Sequence, residues 1–277
     1  MSTKKGEVRL SELAMGNEGD GLWTYRAGDG PIIATAVHDG HDLRPEVAGI
    51  MKLSEAERLR EEDPYTSSWV DIVDTQIVAL RSRFEMDLNR PREQAIYRDP
   101  EDAWGLDIWS TRPSDEIVET SLAQYDAYYR KLREICDQKR ERHGKFVLYD
   151  IHSYNHRRHG EEHPEEDPRE NPEVNIGTGT MDRERWAPLV DRFIADLGAF
   201  DFMGRRLDVR ENVKFKGGNQ VRWLHNNYPE TGVGLAIEFK KFWMDEWTGE
   251  KDEAMIAELR RALESTIPGV LEELARL

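Results

Sequence analysis

The sequence predicts an α/β protein in which helices cover both faces of a central sheet. Short, apolar, β-prone segments recur along the 277 residues, and longer segments with a helical spacing of apolar residues separate them. In addition, three of the apolar segments run directly into histidine or glutamate. Sheets whose strands alternate with helices bind their ligands at such strand ends, so the same pattern predicts a functional site there.

Each element follows from its local pattern. Strands are predicted where apolar, β-prone residues cluster, at residues 31–37, 82–88, 209–215 and 233–239 and in the stretch 146–154. Helices are predicted where apolar residues recur at helical spacing or charged residues dominate, at residues 53–60, 69–80, 117–142, 183–197 and 253–277. The last helical region is interrupted near Pro268, and the acidic, proline-punctuated segment 161–172 is predicted to be a loop.

The composition bounds the organisation of the chain. It contains no linker-like tract and no internal repeat, so we expect one domain over residues 1–277. The N-terminal residues lack the apolar core of a signal peptide, and the apolar runs are too short to cross a bilayer. A lone cysteine, Cys136, excludes an internal disulfide and suits a reducing compartment. We therefore expect a cytoplasmic protein in which Cys136 is a buried structural thiol.

Two predicted strands end on histidine in a way that indicates a metal site. His38 follows the strand at residues 31–37, and His152 follows the strand that begins at Phe146. A catalytic zinc ion takes three protein ligands from His, Asp or Glu and leaves one position open. His41 is close enough in sequence to chelate with His38, and Asp63 is the rival third ligand. We expect one zinc ion per chain, held by His38, His152 and one of these two residues.

Glu238 is the candidate general base because it ends the third apolar strand. Burial at that position would raise the pKa of its carboxyl group towards the working range of a catalytic base. The alternative is a glutamate at a strand end that forms a salt bridge with Lys240 or Lys241. Two imidazoles and one carboxylate at strand ends suggest a metal-dependent hydrolase.

The net charge of the chain limits the kinds of molecule that it is expected to bind. The formal net charge is −16 at pH 7, which argues against nucleic acids and anionic membranes because both bind clustered Lys and Arg. Against this background, the segment 81–91 is rich in arginine and includes Arg83, Asn89 and Arg90. Arginine grips carboxylates through two hydrogen bonds, so these residues are candidates to bind a small anionic substrate. A basic surface patch is the alternative interpretation.

A series of short motifs resembles the N-formylglutamate amidohydrolase family, with matching order and spacing over about residues 30 to 250. The motifs are His38-Asp39-Gly40, Ser82-Arg83-Phe84, Asp87-Leu88-Asn89-Arg90-Pro91, Asp150-Ile151-His152-Ser153, Lys216-Gly217-Gly218 and Ile237-Glu238. That family is related in fold to the zinc carboxypeptidases and to the succinylglutamate desuccinylase and aspartoacylase group.

The resemblance implies a mixed, mostly parallel central sheet of eight strands with helices on both faces, one zinc ion and hydrolysis of an amide. It implies His38 and His152 as ligands, Glu238 as base, and Asn89 and Arg90 as substrate contacts. The chain departs from the family where Val37 and Asp39 flank the first histidine. It departs from the carboxypeptidases at His41, where those proteins carry glutamate. The acidic segment that the N-formylglutamate amidohydrolase family has in its next helix corresponds to residues 62–66 of this chain.

The expected function is hydrolysis of an N-acyl amino acid, with N-formyl-L-glutamate as the foremost substrate. Two alternatives remain open at the level of sequence. The first is a deacylase or peptidase that acts on another N-acyl amino acid. The second is a non-catalytic metal-binding protein that retains the fold, against which the presence of both Glu238 and Arg90 counts.

Overall fold

The computed structural model describes residues 21–277, and a single seven-stranded sheet organises them. The strands are β1 (Trp23–Arg26), β2 (Ile32–Ala36), β3 (Thr75–Ala79), β4 (Phe146–Tyr154), β5 (Val174–Gly177), β6 (Val209–Glu211) and β7 (Gly232–Lys240). Their spatial order is β1-β3-β2-β4-β7-β5-β6. The strands β3, β2, β4 and β7 run parallel, whereas β1 and β5 lie antiparallel to their inner neighbours. The predicted mixed, mostly parallel sheet is confirmed, with seven described strands instead of eight.

Helices lie on both faces of this sheet, as predicted. They are α1 (Pro45–Ala48), α2 (Glu55–Glu61), α3 (Asp115–His143), α4 (Ala187–Ala199), α5 (Asn219–Asn227), α6 (Glu253–Glu264) and α7 (Ile267–Arg276), with short 3-10 helices at Thr66–Ile72, Arg92–Gln94 and Pro100–Ala103. Successive residues of a strand point to opposite faces, and β4 shows this alternation. Its Val147 and Tyr149 pack with α4, α6 and α7, whereas Phe146 and Leu148 pack with α3 and α5.

The central strands are buried along their whole length. Every residue of β2, β4 and β7 is buried, which explains why their sequences read as near-continuous apolar runs. Polar residues within such strands therefore need partners inside the protein or a functional reason. Among residues 21–277, no helix combines the length and the apolar character that crossing a membrane would require.

Several predicted elements differ from the observed ones. The predicted helix at residues 69–80 is wrong, because a 3-10 helix ends at Ile72 and the chain then forms β3. The predicted strand at 82–88 is also wrong, since this segment forms turns. The strand predicted at 209–215 spans only Val209–Glu211, whereas β1, β5 and α5 were not predicted. The acidic segment 161–172 contains neither helix nor strand, as expected.

A buried histidine in α5 makes the stability of the fold depend on pH. His225 accepts a hydrogen bond from the Gly234 N–H at Nε2 (2.9 Å), and its Nδ1 lies 2.9 Å from the Thr180 hydroxyl. Burial lowers the pKa of His225 from 6.5 to about 4. The folded state therefore favours the neutral ring. The stabilisation is complete above the unfolded pKa and is lost as the pH falls from about 6.5 towards 4.

We expect this loss to amount to about 3 kcal/mol, since one pKa unit corresponds to about 1.36 kcal/mol. Urea unfolding at neutral pH and near pH 4 measures it, with the His225→Gln variant as the comparison because glutamine does not titrate. The variant should lose less stability than the wild-type protein between the two conditions. Equal losses in both proteins would contradict a role for His225.

Candidate active site

Three of the predicted site residues meet at the carboxyl edge of the parallel strands. His38 lies two residues beyond β2, His152 lies within β4, and Glu238 lies within β7. β2 and β7 flank β4 on either side, and His152 is paired in register with Glu238. Residues paired in this way on adjacent strands project from the same face. The sheet therefore places these side chains around one cavity, which all three line.

Asp63 joins the two histidines at this edge. It follows the end of α2, and its backbone N–H donates to the His38 carbonyl at 2.9 Å. The carboxylate Oδ2 of Asp63 lies 3.3 Å from His38 Nδ1 and 3.0 Å from His152 Nδ1. All three side chains are buried, and one ligand atom from each lies within 4.8 Å of the others. This group could hold a metal ion.

The structure does not bring His41 into that group. Its Nδ1 lies 2.5 Å from the Glu62 carboxylate, and Arg58 contacts its Nε2 at 3.1 Å. His41 is also partly exposed to solvent, whereas the three converging side chains are buried. Of the two alternatives for a third ligand, the fold therefore places Asp63 beside His38 and His152.

The outer ring nitrogens of the two histidines are held by a second pair of carboxylates. Asp87 Oδ1 lies 2.7 Å from His38 Nε2, and Asp150 Oδ1 lies 3.1 Å from His152 Nε2. Metal-ligating histidines generally donate their other N–H to such a partner, which fixes the ring and leaves the opposite nitrogen free to coordinate. The donor set of two imidazole nitrogens and one carboxylate oxygen suits a catalytic zinc. The residues present therefore fit a divalent ion.

The electrostatics of the cluster follow from this concentration of buried charge. Burial alone would raise the pKa of Asp63, but hydrogen bonds from His152 and His38 hold it well below its usual range. Burial opposes the charged form of His152, yet Asp150 and Glu238 raise the pKa of its imidazole well above the usual value. The pocket thus stabilises positive charge between its carboxylates, which is what a metal cation would supply.

Glu238 differs from the other carboxylates because its side chain is left open. Burial raises its pKa to about 7, and the nearby His152 only partly offsets this effect. Among residues 21–277 its carboxylate has no hydrogen-bond partner. The proposed structural alternative does not apply, because Lys241 Nζ donates to two backbone carbonyls and Lys240 Nζ lies 3.6 Å from Glu165. Glu238 therefore faces the cavity with a proton affinity suited to a general base.

Both predicted arginines, Arg83 and Arg90, form hydrogen bonds with other groups of the protein. Arg83 lines the cavity but spends its three nitrogens on Asp87 Oδ2 (2.8 Å), the Tyr97 hydroxyl and a backbone carbonyl. Asp87 in turn holds His38, so Arg83 acts on the histidine through this carboxylate. Arg90 donates to the Asp102 carbonyl at 2.6 Å and stacks over Tyr97 at 4.7 Å. Arg90 does not line the cavity in this arrangement.

Asn89 links the arginine segment to the glycine motif. Its Nδ2 lies 3.3 Å from His152 Nε2, and its Oδ1 accepts the Gln220 N–H at 3.0 Å. Gly218 packs directly against this amide, because a Cβ atom at Gly218 would lie 2.3 Å from Asn89 Nδ2 and Oδ1. The preceding Gly217 has a φ of +107°, in the left-handed region that favours glycine. The two glycines therefore let the start of α5 approach the site.

Replacement of Gly218 by Ala should displace Asn89 from His152. We expect a loss of about 1–3 kcal/mol in the free energy of unfolding, the usual cost of overpacking, together with a lower kcat/KM. Gly198→Ala is the matched control, because a Cβ atom at Gly198 on α4 would have no other group within 4 Å among the described residues. That control should be neutral or stabilising by up to about 1 kcal/mol. Equal effects of the two substitutions in urea unfolding would contradict the packing argument.

The cavity at this site has a volume of about 200 Å³. It is smaller than the roughly 300–1,000 Å³ of pockets that bury drug-sized ligands, so it suits a small molecule. Its lining includes six residues that were not predicted: Glu61, Trp104, Ser153, Asn155, Arg158 and Lys241. The sequence offered a signal for Ser153 and Asn155, which closely follow His152, whereas Glu61 and Trp104 are distant from it in sequence.

Comparison with known proteins agrees with this fold. The model of the family described as N-formylglutamate amidohydrolase matches residues 30–242. The solved structure of N-formylglutamate amidohydrolase from Ralstonia eutropha JMP134 gives a TM-score of 0.72 at 20% identity, covering 92% of this chain and 99% of that chain. The gene product Atu2144 from Agrobacterium tumefaciens gives 0.67 at 19% identity, covering 92% and 96%.

No curated protein matches this chain in sequence. The two solved structures are too distant in sequence to establish more than a shared α/β fold, and the family match carries the stronger statement because it spans more than half of the chain. It also contains every motif on which the resemblance depends, from His38 to Glu238. The chain therefore belongs to the N-formylglutamate amidohydrolase family.

Proposed function

We propose that the protein is a zinc-dependent amidohydrolase that cleaves the amide bond of a small N-acyl amino acid, with N-formyl-L-glutamate as the foremost substrate. The observation that carries the proposal is the convergence of His38 Nδ1, His152 Nδ1 and Asp63 Oδ2 beside the open carboxylate of Glu238. We propose His38, His152 and Asp63 as the ligands of one zinc ion. His41 is left out of this set because it pairs with Glu62.

Different residues of the chain carry out different parts of the proposed reaction. A divalent ion held here would supply Lewis acidity towards a carbonyl oxygen and lower the pKa of water. Glu238 accepts a proton from the attacking water while the water oxygen bonds to the acyl carbon. Glu238 then returns that proton to the nitrogen as the C–N bond breaks, which releases the acid and the free amine. Asp87 and Asp150 keep the imidazoles of His38 and His152 in place throughout.

The surroundings favour a small anionic substrate over a peptide. The cavity volume of about 200 Å³ leaves little room beyond an acylated amino acid. Cationic side chains in its lining, including Arg158 and Lys216, attract a carboxylate even though the whole chain carries a net charge of −16.

Elemental analysis of purified protein, followed by a panel of N-acyl amino acids, tests the proposal. We expect about one divalent ion per chain and turnover of N-formyl-L-glutamate above its N-acetyl and N-succinyl analogues. Turnover confined to another acyl group would redirect the proposal to a different deacylase. Bound metal without turnover of any substrate in the panel would favour the non-catalytic alternative.

A further inference from the structure

Four cationic side chains line the cavity, and they differ in how many of their donors the protein uses. Arg83 spends all three nitrogens on protein acceptors, and Lys241 donates to two backbone carbonyls at 2.6 and 2.7 Å. Arg158 has one occupied nitrogen, and Lys216 has no partner for its ammonium group among residues 21–277. Arg158 and Lys216 thus keep the most N–H donors for a ligand, since Arg83 retains two of its five donors and Lys241 one of its three.

Arg158 is presented to the cavity by an aromatic platform. Its guanidinium group lies over the Trp104 ring at 5.1 Å, and Arg83 lies over the same ring at 4.9 Å. Trp104 adopts a left-handed conformation with a φ of +55°, which costs energy in a residue other than glycine and marks a constrained position. Stacking leaves the edge of a guanidinium group available for a carboxylate, which needs two parallel N–H donors.

Arg158 now pairs with Glu61, and it can exchange this partner for a ligand. Arg158 Nη1 donates to Glu61 Oε2 at 2.9 Å, while Arg60 Nε donates to Glu61 Oε1 at 3.2 Å. Loss of one partner from a buried ion pair is usually costly, because it leaves an unpaired charge. Since Arg60 stays on Glu61, Arg158 can move to a ligand without leaving this buried carboxylate unpaired.

Two residues that line the same cavity carry buried polar atoms without partners, which independently indicates a ligand. Ser153 Oγ and Asn155 Oδ1 have no hydrogen-bond partner within the described part of the chain. Their residues are only 7% and 2% exposed, and both line the cavity. Buried polar groups without partners are costly and rare in folded proteins. Asn155 Oδ1 needs an N–H donor, which an N-acyl amino acid carries at its amide.

We propose that Arg158, supported by Trp104, is the residue that selects an acidic amino acid by binding the side-chain carboxylate of the N-acyl substrate. Asn155 accepts an N–H of the same ligand, and Lys216 provides the second free cation for the other carboxylate. The inference rests on the proposed function and adds to it the residues that separate a dicarboxylic substrate from a neutral one.

Binding measured without turnover tests the assignment. In the Glu238→Gln background, calorimetry compares N-formyl-L-glutamate with N-formyl-L-glutamine, which has the same shape and no side-chain charge. We expect a preference of about 10- to 100-fold for the glutamate derivative, the scale of a charge-assisted hydrogen bond. Arg158→Gln should abolish that preference and leave glutamine binding nearly unchanged. Arg157→Gln is the matched control, because Arg157 pairs with Asp245 outside the cavity and should retain the preference.

A second variant should change the affinity for N-formyl-L-glutamate in the opposite direction. Glu61→Gln neutralises the group that competes for Arg158, so binding of N-formyl-L-glutamate should become several-fold tighter. Equal binding of the two ligands with Arg158 intact would overturn the proposal, as would a preference that survives Arg158→Gln. Turnover by the unmodified enzyme is measured separately. Its absence counts against the proposed function, whereas the binding preference alone decides the role of Arg158.

Discussion

Replacement of Asp63 by Ala is expected to remove bound metal and abolish turnover. Asp63 Oδ2 lies between the Nδ1 atoms of His38 and His152, so the substitution deletes the carboxylate that faces both rings. Two imidazoles without a third ligand no longer form the three-ligand site that a catalytic zinc requires. Elemental analysis of the purified variant, with turnover of N-formyl-L-glutamate, measures both effects. His38→Ala and His152→Ala should behave in the same way.

His41→Ala is the control for this series, because it removes a histidine from the same segment without touching the cluster. The His41 ring contacts Glu62 and Arg58, so its loss should leave metal content intact. Full metal occupancy in Asp63→Ala together with metal loss in His41→Ala would reverse the ligand assignment. Circular dichroism of each variant separates loss of metal from loss of fold.

Glu238→Gln is expected to lower kcat by about 10² or more while metal content stays unchanged, which is the scale of a lost general base. Glutamine keeps the shape of the side chain and cannot accept the proton. The carboxylate has no hydrogen-bond partner among the described residues, so the substitution breaks no hydrogen bond there and the fold should be unaffected. Single-turnover kinetics on N-formyl-L-glutamate measures the effect.

Glu264→Gln is a suitable control, since Glu264 is exposed on α6, pairs with Arg260 at 3.0 Å and does not line the cavity. It should retain full activity. A Glu238→Gln enzyme with normal kcat would assign the proton transfer to another group. Loss of metal in Glu238→Gln would instead make Glu238 part of the metal site.

The sequence predicted the central strands well because their burial is total. β2, β4 and β7 are buried at every residue, so their apolar runs carried a clear signal, and the side chains at their ends were readable as a site. The segment 82–88 shows the limit of this reasoning. Phe84, Met86 and Leu88 alternate as in a strand, but Phe84 packs in one cluster and the other two in another. Local periodicity does not reveal which core a residue joins.

The sequence alone did not decide between His41 and Asp63 as the third metal ligand, for a related reason. Sequence proximity favoured His41, three residues after His38, whereas Asp63 reaches His38 through a backbone hydrogen bond across 25 residues of chain. Arg83 and Arg90 stay predicted substrate contacts, and in the structure they pair with Asp87 and with the Asp102 carbonyl, respectively. The Arg83–Asp87 pair is local, with the partners four residues apart in sequence, whereas Arg90 reaches the Asp102 carbonyl across 12 residues of chain, a contact that residue spacing does not reveal.

The pairing of His152 with Glu238 across β4 and β7 has a consequence for how this protein can change. Adjacent strands lie about 4.7–4.9 Å apart, so the backbone positions of two paired residues vary little. His152 and Glu238 are thus anchored to the sheet, whereas Trp104 and Arg158 lie outside the strands. Under the roles proposed for these residues, random variation confined to those loops should alter substrate preference and leave His152 and Glu238 in place. Directed evolution of new acyl or amino acid preferences should therefore begin there.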